Sequence, residues 1–363
     1  MRVGAIPDNV IERFALASGL VPLPLVDSWF TFMLARTIMV GTKVGLFEAL
    51  DAGPLTATEI ATRCHTNPSA TGKLLNALVG TKYLRAKEGR YALAPVARRW
   101  LLQSNPSSVR DAVLFRCMEW EWWSRCEEFV RTGVPLRVHE TMTDEEWGVY
   151  QRGMRSGIEM MAKMVARKLP IPNGATKMLD IGGSHGHWSA AICRRHSKLR
   201  ATILELESAV KHAEPILARE GMGDRIAHRV GNALTDDLGE SAYDVVFMAA
   251  LVHHFDDATN RSLMTRIARA LRPHGIVAVW EPERQDANRG INQIGGLLDL
   301  GFAMYSESGT WSAAEIAEWQ RAAGLTPLKP IRILLSKDLL LQVARKTAAS
   351  TRLSRGVANG GSA

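Results

Sequence analysis

The chain has 363 residues, 46% of them hydrophobic and 23% charged, and carries a formal net charge of +8. That length suits two domains, one of them of about 150–200 residues, and the composition excludes a disordered or fibrous chain. Four scattered cysteines (Cys64, Cys117, Cys126, Cys193) show neither metal-ligand spacing nor a disulfide framework, so reduced thiols, a cytoplasmic setting and no metal are expected.

Residues 1–24 are a weakly amphipathic lead-in. Over 26–50 apolar residues recur at helical spacing nearly all round (Phe30, Met33, Leu34, Ile38, Val44, Phe47), which predicts one helix buried on more than one side. Asp27, Arg36 and Lys43 interrupt the apolar run, which favours packing against a second subunit over a membrane span. Thr56-x-x-Glu59 is a capping box that opens a short helix. Asn67-Pro68 pairs an N-cap with proline at the first helical position of a second. The stretches 83–85 and 90–93 flank a Lys-Glu-Gly turn and read as a β-hairpin. Helix, helix, hairpin is a winged helix-turn-helix, a fold used for DNA binding and for dimerisation alike. Its recognition-helix candidate, 69–79, holds one lysine (Lys73) and no arginine, and part of the basic excess sits in the tail. A homodimer is therefore expected rather than a nucleic-acid binder.

Residues 106–170 are helical and dense in tryptophan (Trp120, Trp122, Trp123, Trp147). Such aromatics bury large areas and line pockets equally well; Trp120 and Trp123, with Met154, are the candidates for contact with a bulky, flat, apolar molecule. From Thr176 the pattern changes. Apolar runs at 177–181, 201–204, 226–230, 244–248 and 275–280 alternate with helices near 188–195, 209–220 and 260–271, which predicts a parallel, doubly wound α/β sheet. Two last runs, 328–335 and 339–344, are placed to pair antiparallel at its edge. The expected organisation is a winged-helix dimerisation domain over 1–105, a helical substrate-lining region over 106–172, a cofactor-binding domain over 173–346 and a disordered tail over 347–363.

The most informative segment is Asp180-Ile181-Gly182-Gly183-Ser184-His185-Gly186, a strand end, a glycine turn and a helix start. A ligand can lie against such a turn at the carboxyl end of the first strand of a doubly wound sheet. Asp180 at its mouth suits an amine better than a phosphate, and the glycine spacing departs from G-x-G-x-x-G. Glu205, about twenty residues on at the end of the second strand, can take both hydroxyls of a ribose. An amine-facing acid, a glycine turn and a ribose-facing acid fit the two halves of S-adenosylmethionine, with a nicotinamide dinucleotide as the alternative.

These residues, with the domain order, make the chain resemble the S-adenosylmethionine-dependent O-methyltransferases of the plant caffeate and acetylserotonin type and their bacterial relatives in secondary metabolism. The resemblance spans nearly the whole length. It implies a class I methyltransferase fold, an α/β doubly wound and mostly parallel seven-stranded sheet, preceded by an all-helical, winged-helix dimerisation domain. It implies that Asp180, Gly182, Gly183 and Gly186 form the cofactor loop, that Glu205 binds the ribose, that Asn232 and Ala233 lie against the adenine, and that Met154 borders cofactor and acceptor. It implies His253 as general base for a small-molecule hydroxyl, oriented by Glu281. The chain departs from the family at Ala249, His254 and Thr310, where lysine, aspartate and a second glutamate are usual. C- or N-methylation on the same fold, another reaction of the bound cofactor, and a winged-helix DNA-binding regulator are the other readings.

Overall fold

The computed structural model describes residues 3–333 and 336–347. The last two residues of the run expected over 328–335, and all but the first residue of the tail expected to be disordered over 347–363, lie outside the described residues.

A helical run from Leu23 to Lys43, 21 residues long and apolar enough by length and composition to cross a membrane, contains a π-helical turn at Val26–Phe30. It stops short of the helix expected to reach residue 50. Gly45 adopts φ 78°, a left-handed conformation that is cheap only without a β-carbon, and a short helix, Leu46–Ala49, restarts beyond it. The break turns Leu46, Phe47 and Leu50 into a core with Ile60, Leu75 and Leu78. The longer piece keeps Leu25, Trp29, Phe30 and Met33 exposed.

The compact unit beyond it is assembled by local signals. The Thr56 hydroxyl accepts from the Glu59 N–H (3.3 Å) and the Glu59 carboxylate accepts from the Thr56 N–H (2.7 Å), which opens helix Ala57–Cys64. Asn67 caps helix Pro68–Gly80 through the Ala70 N–H (3.0 Å). A short strand β1 (Leu55–Thr56) pairs with a hairpin of β2 (Leu84–Lys87) and β3 (Arg90–Leu93). Glu88 and Gly89 both take positive φ (51° and 74°), as a two-residue I′ hairpin turn requires.

The larger domain carries strands β4 (Lys177–Ile181), β5 (Arg200–Glu205), β6 (Ile226–Val230), β7 (Tyr243–Ala249), β8 (Leu271–Pro282), β9 (Thr326–Pro327), β10 (Ile331–Ile333) and β11 (Ser336–Arg345). Seven lie along one sheet in the order β10-β11-β8-β7-β4-β5-β6, and the two-residue β9 joins β11 off that path. Contacts among β4, β5, β6, β7 and β8 are parallel, whereas β11 runs antiparallel to β8 and β10. Both faces are buried. Met178, Ile203, Phe247 and Ala278 pack on one side, and Leu179, Leu204, Val246 and Val277 on the other, which is why these strands read as continuous apolar runs rather than alternating ones. β8 extends well past the expected 275–280 at both ends. The order of strands reverses beside β4, where the chain leaves toward β5 and β6 and returns to β7 on the other flank. That reversal opens a crevice at the carboxyl ends of the strands.

Helices Asp144–Arg155, Glu159–Lys168 and Gln293–Tyr305 border that crevice, and helix Arg110–Trp123 packs behind them. Helix Asp144–Arg155 begins in a second capping box, Thr143 with Glu146.

Candidate active site

A cavity of about 700 Å³ opens at the carboxyl ends of β4 to β8, the size of a small-molecule site. Gly182, Gly183, Ser184, Glu205, Asn232 and Ala233 form one end of its wall. The turn after β4 tolerates no side chains at its glycines. A β-carbon on Gly183 would sit 2.5 Å from the Asp180 carboxylate, and one on Gly186 (φ 73°) would sit 2.7 Å from Leu217 Cδ1 and 2.8 Å from Ile203 Cδ1. Gly182 also has positive φ, 65°, and faces Leu251. Gly186 therefore caps helix His187–Arg195 from behind the wall, while Gly182 and Gly183 present bare backbone to the cavity.

Asp180 is fully buried beneath this turn. Its Oδ2 accepts from the Ser189 hydroxyl (2.6 Å), and its Oδ1 is buried without a partner among the described residues. Burial above all, with the nearby Glu205, pushes its carboxyl up to about 7. Glu205, at the end of β5, is likewise pushed up to about 7 by burial, although the backbone N–H groups of Leu206 (2.7 Å) and Ser184 donate to it. Two acids held near neutrality, one with an unmet oxygen, are a costly arrangement in an apolar site. Glu205, on the cavity wall, can accept from ribose hydroxyls, and Asp180, sealed beneath the turn, can favour an amine through its charge, so the residues fit the ribose and amino acid parts of S-adenosylmethionine. Asn232 follows β6; its Oδ1 accepts from the Leu234 N–H (2.9 Å), and Asp236 accepts from its own N–H (3.1 Å). The tight loop places Ala233 and Leu234 on the cavity wall.

The other end is aromatic. Trp147 and Tyr150 of helix Asp144–Arg155, Trp188, Trp280 and Tyr305 line it together with Met154. Trp120 and Trp123 are not among the lining residues. Trp120 lies under the Arg36 guanidinium (5.2 Å) and near Phe32 (6.3 Å), on the N-terminal helix. Trp123 stands edge-on to Tyr305 (6.5 Å), against helix Gln293–Tyr305.

His253 and Glu281 come together behind this wall. His253 Nδ1 and Glu281 Oε2 are 2.8 Å apart, and both residues are nearly inaccessible (3% and 1%). The other carboxylate oxygen of Glu281 accepts from the N–H groups of Leu251 (2.6 Å) and Val252 (2.8 Å). Phe302 stacks on the His253 ring at 4.0 Å. Of the two adjacent histidines it is His254 that lines the cavity; its Nδ1 meets the Ser306 hydroxyl at 2.5 Å. Thr310 bonds to Asp299 through both its N–H (2.8 Å) and its hydroxyl.

Sequence reading did not find several lining residues. Trp188 and Trp280 look like ordinary core positions of a helix and a strand. Ser184 and His185 stood inside the glycine motif and were readable only as its variable positions. His139, on the one-turn helix Val138–Thr141, had no motif around it at all.

A cavity at the strand ends, walled by a glycine turn and an acid at the end of β5 and backed by a histidine–carboxylate pair, fits a small-molecule transferase of the doubly wound class. The O-methyltransferase domain model matches residues 126–326, and the O-methyltransferase dimerisation domain model matches residues 26–104. The chain is 26% identical over 320 residues to 3-hydroxy-5-methyl-1-naphthoate 3-O-methyltransferase of Streptomyces sahachiroi, covering 86% of this chain and 91% of that one. It is 25% identical over 332 residues to L-tyrosine C(3)-methyltransferase of Streptomyces lavendulae, covering 85% and 89%. Human N-acetylserotonin methyltransferase in complex with S-adenosylmethionine shares the fold, with a TM-score of 0.78 at 18% identity, covering 95% of this chain and 100% of that one. The protein belongs to this O-methyltransferase family and is an S-adenosylmethionine-dependent methyltransferase.

Proposed function

We propose that the protein methylates a hydroxyl of a flat, aromatic small molecule, with His253 as general base and Glu281 as its orienting carboxylate, and that it works as a soluble, cytoplasmic homodimer. The buried His253–Glu281 pair is the observation that carries this reading.

When bound, S-adenosylmethionine supplies an electrophilic sulfonium methyl. Glu205 would take the ribose hydroxyls, Asn232 and Ala233 would border the adenine, and Asp180 would favour the amine by its charge from beneath the turn. Glu281, anchored by two backbone N–H groups, keeps the proton of His253 on Nδ1. The lone pair is then on Nε2, ready to accept the proton of the acceptor hydroxyl as that oxygen attacks. The resulting imidazolium lies against a carboxylate inside a dry pocket. Phe302 stacks on the face of the ring and fixes its plane. Trp147, Tyr150 and Met154 hold the acceptor's ring plane and exclude water, which makes proximity and orientation the larger share of the protein's contribution. The dimer reading rests on the dimerisation domain match and the exposed apolar helix Leu23–Lys43.

The test is transfer of labelled methyl to a panel of phenols, amines and activated carbon acids by the wild type, His253→Ala and His254→Ala. Ether products that vanish selectively in His253→Ala are expected. Label on carbon or nitrogen with His253 dispensable supports the second reading, C- or N-methylation, which the carbon-methylating relative and the threonine at 310 favour. Loss confined to His254→Ala moves the base to the histidine on the cavity wall.

A further inference from the structure

Two imidazoles on the acceptor side of the cavity have no part in the mechanism above. His139 comes from helix Val138–Thr141 and His254 from the turn after β7. Their rings meet edge to face with centroids 4.6 Å apart, and both line the cavity. We propose that His139 and His254 recognise a second oxygen on the acceptor, next to the hydroxyl that is methylated, so that the preferred acceptors are phenols with an ortho or peri carbonyl or hydroxyl. This inference rests on the reading of His253 as base.

Each ring is fixed, and each has a nitrogen to spare. Ser306 engages His254 at Nδ1; with that hydroxyl donating, Nε2–H is left as a donor toward the cavity. His139 is held by packing instead, edge-on to Tyr150 (5.1 Å) and tilted against Trp147 (5.6 Å), and makes no hydrogen bond among the described residues. Its ring stands half-buried on the cavity wall, where a ligand oxygen can take the place of water.

The chemistry of the partner follows from charge. Burial first, then the neighbouring His253, brings His139 down to about 4 and holds His254 well below the usual histidine value. Both rings are thus neutral at physiological pH, able to donate or accept, and matched to an uncharged oxygen rather than to a carboxylate. The cation nearest this end, Arg137, is engaged with Glu307 (3.0 Å) and Glu140 (3.9 Å).

The position of the partner follows from adjacency. The His254 ring centroid is 4.1 Å from that of His253, so the oxygens these two rings address are neighbours on the acceptor. The arrangement also serves the reaction. A phenol beside a carbonyl keeps its proton in an internal hydrogen bond, and an imidazole N–H offered to the carbonyl competes for that acceptor. The phenolic proton is then released to His253 Nε2.

The experiment is labelled methyl transfer to matched pairs, 1-naphthol against 1-hydroxy-2-acetonaphthone and 1-anthrol against 1-hydroxyanthraquinone, by the wild type, His139→Leu and His254→Phe. S-adenosylhomocysteine affinity is measured alongside as a control for folding of the site. The wild type is expected to favour the oxygenated member of each pair by about tenfold or more in kcat/KM. Both variants should bring that ratio to within about twofold of unity. Equal handling of the pairs by the wild type, or a ratio unchanged in both variants, overturns the inference and leaves the hydroxyl-methylation reading standing. Loss of transfer to both members in His254→Phe but not in His139→Leu makes His254 the base and overturns it as well. No ether from any acceptor, with the cofactor product still bound, overturns the hydroxyl reading itself and this inference with it.

Discussion

Replacing Glu205 with glutamine tests the cofactor end of the site in two opposite directions at once. In the ligand-free protein burial raises this carboxyl from an ordinary 4.5 to about 7. The folded state therefore holds a proton that the unfolded chain has released, and folding stability falls as pH rises from about 4.5 to about 7. Glutamine removes the titration, so ligand-free Glu205→Gln should be more stable than the wild type at pH 8, by on the order of 1–3 kcal/mol. Ligand binding has the reverse sign. The ionised carboxylate is the form that accepts two ribose hydroxyls. The wild-type dissociation constant for S-adenosylhomocysteine should thus weaken about tenfold from pH 8 to pH 6, one proton being lost on binding. At pH 8 the variant should bind about 1–3 kcal/mol more weakly, and its pH slope should be shallower than the wild type's by Glu205's share, the remainder belonging to Asp180, which burial also holds near 7. Calorimetric titration at pH 6, 7 and 8, beside thermal unfolding of the ligand-free proteins, reads both effects, and the difference between the two proteins cancels titration of the ligand itself. Parallel pH slopes in wild type and variant, or a variant less stable without ligand, would refute the assignment of Glu205 as a buried, ribose-binding acid.

Four further outcomes follow from the same geometry. Gly183→Ala forces a β-carbon against the Asp180 carboxylate and should abolish detectable S-adenosylhomocysteine binding in the same calorimeter; normal affinity would show that the turn is not the cofactor's floor. Glu281→Gln turns an amide N–H toward His253 Nδ1, which moves the imidazole proton to Nε2. kcat should fall by about 10²–10⁴ with cofactor affinity unchanged, and retained turnover would exclude the pair as base and orienter. Burial depresses the half-buried His139 and the buried His185, to about 4 and about 3, so each contributes stability that is present above the ordinary value of 6.5 and lost as pH falls toward those values. His185→Phe should accordingly flatten the acid limb of the unfolding midpoint against pH, and an unchanged limb would remove His185 from that account. Phe30→Arg with Met33→Glu, on the exposed face of the N-terminal helix, should shift sedimentation from dimer to monomer at micromolar concentration; an unshifted boundary would place the interface elsewhere.

Much of this molecule was legible from the chain because its signals are local or periodic. β4 and β6 lie at 177–181 and 226–230 as the apolar runs predict, and the caps at Thr56 and Asn67 close as their side chains dictate. The helix expected over 26–50 was misjudged because hydrophobic periodicity does not register one left-handed glycine: Leu46, Phe47 and Leu50 keep the helical spacing across Gly45 while the axis changes. At the site, the glycine turn and Glu205 could be read from strand ends. The burial of His253 behind Phe302 could not, since which of two adjacent histidines faces inward depends on a helix fifty residues away. Trp120 and Trp123 were nominated for the pocket by composition alone. Composition cannot say that helix Arg110–Trp123 spends these rings on the N-terminal helix and on helix Gln293–Tyr305 rather than on the cavity.

Two departures from a plain glycine motif tie the cofactor turn to the acceptor wall. The Ser184 hydroxyl bonds to Gln151, and the His185 ring bonds to the backbone of Met154 while accepting from the His187 N–H (3.1 Å). Gln151 and Met154 belong to the same helix as Trp147 and Tyr150. The floor under the cofactor and the wall against the acceptor are therefore one mechanical piece. Anyone reshaping this helix to admit a new acceptor will also be retuning the cofactor site. Libraries that vary Gln151 or its neighbours should carry Ser184 and His185 as covarying positions rather than leave them constant.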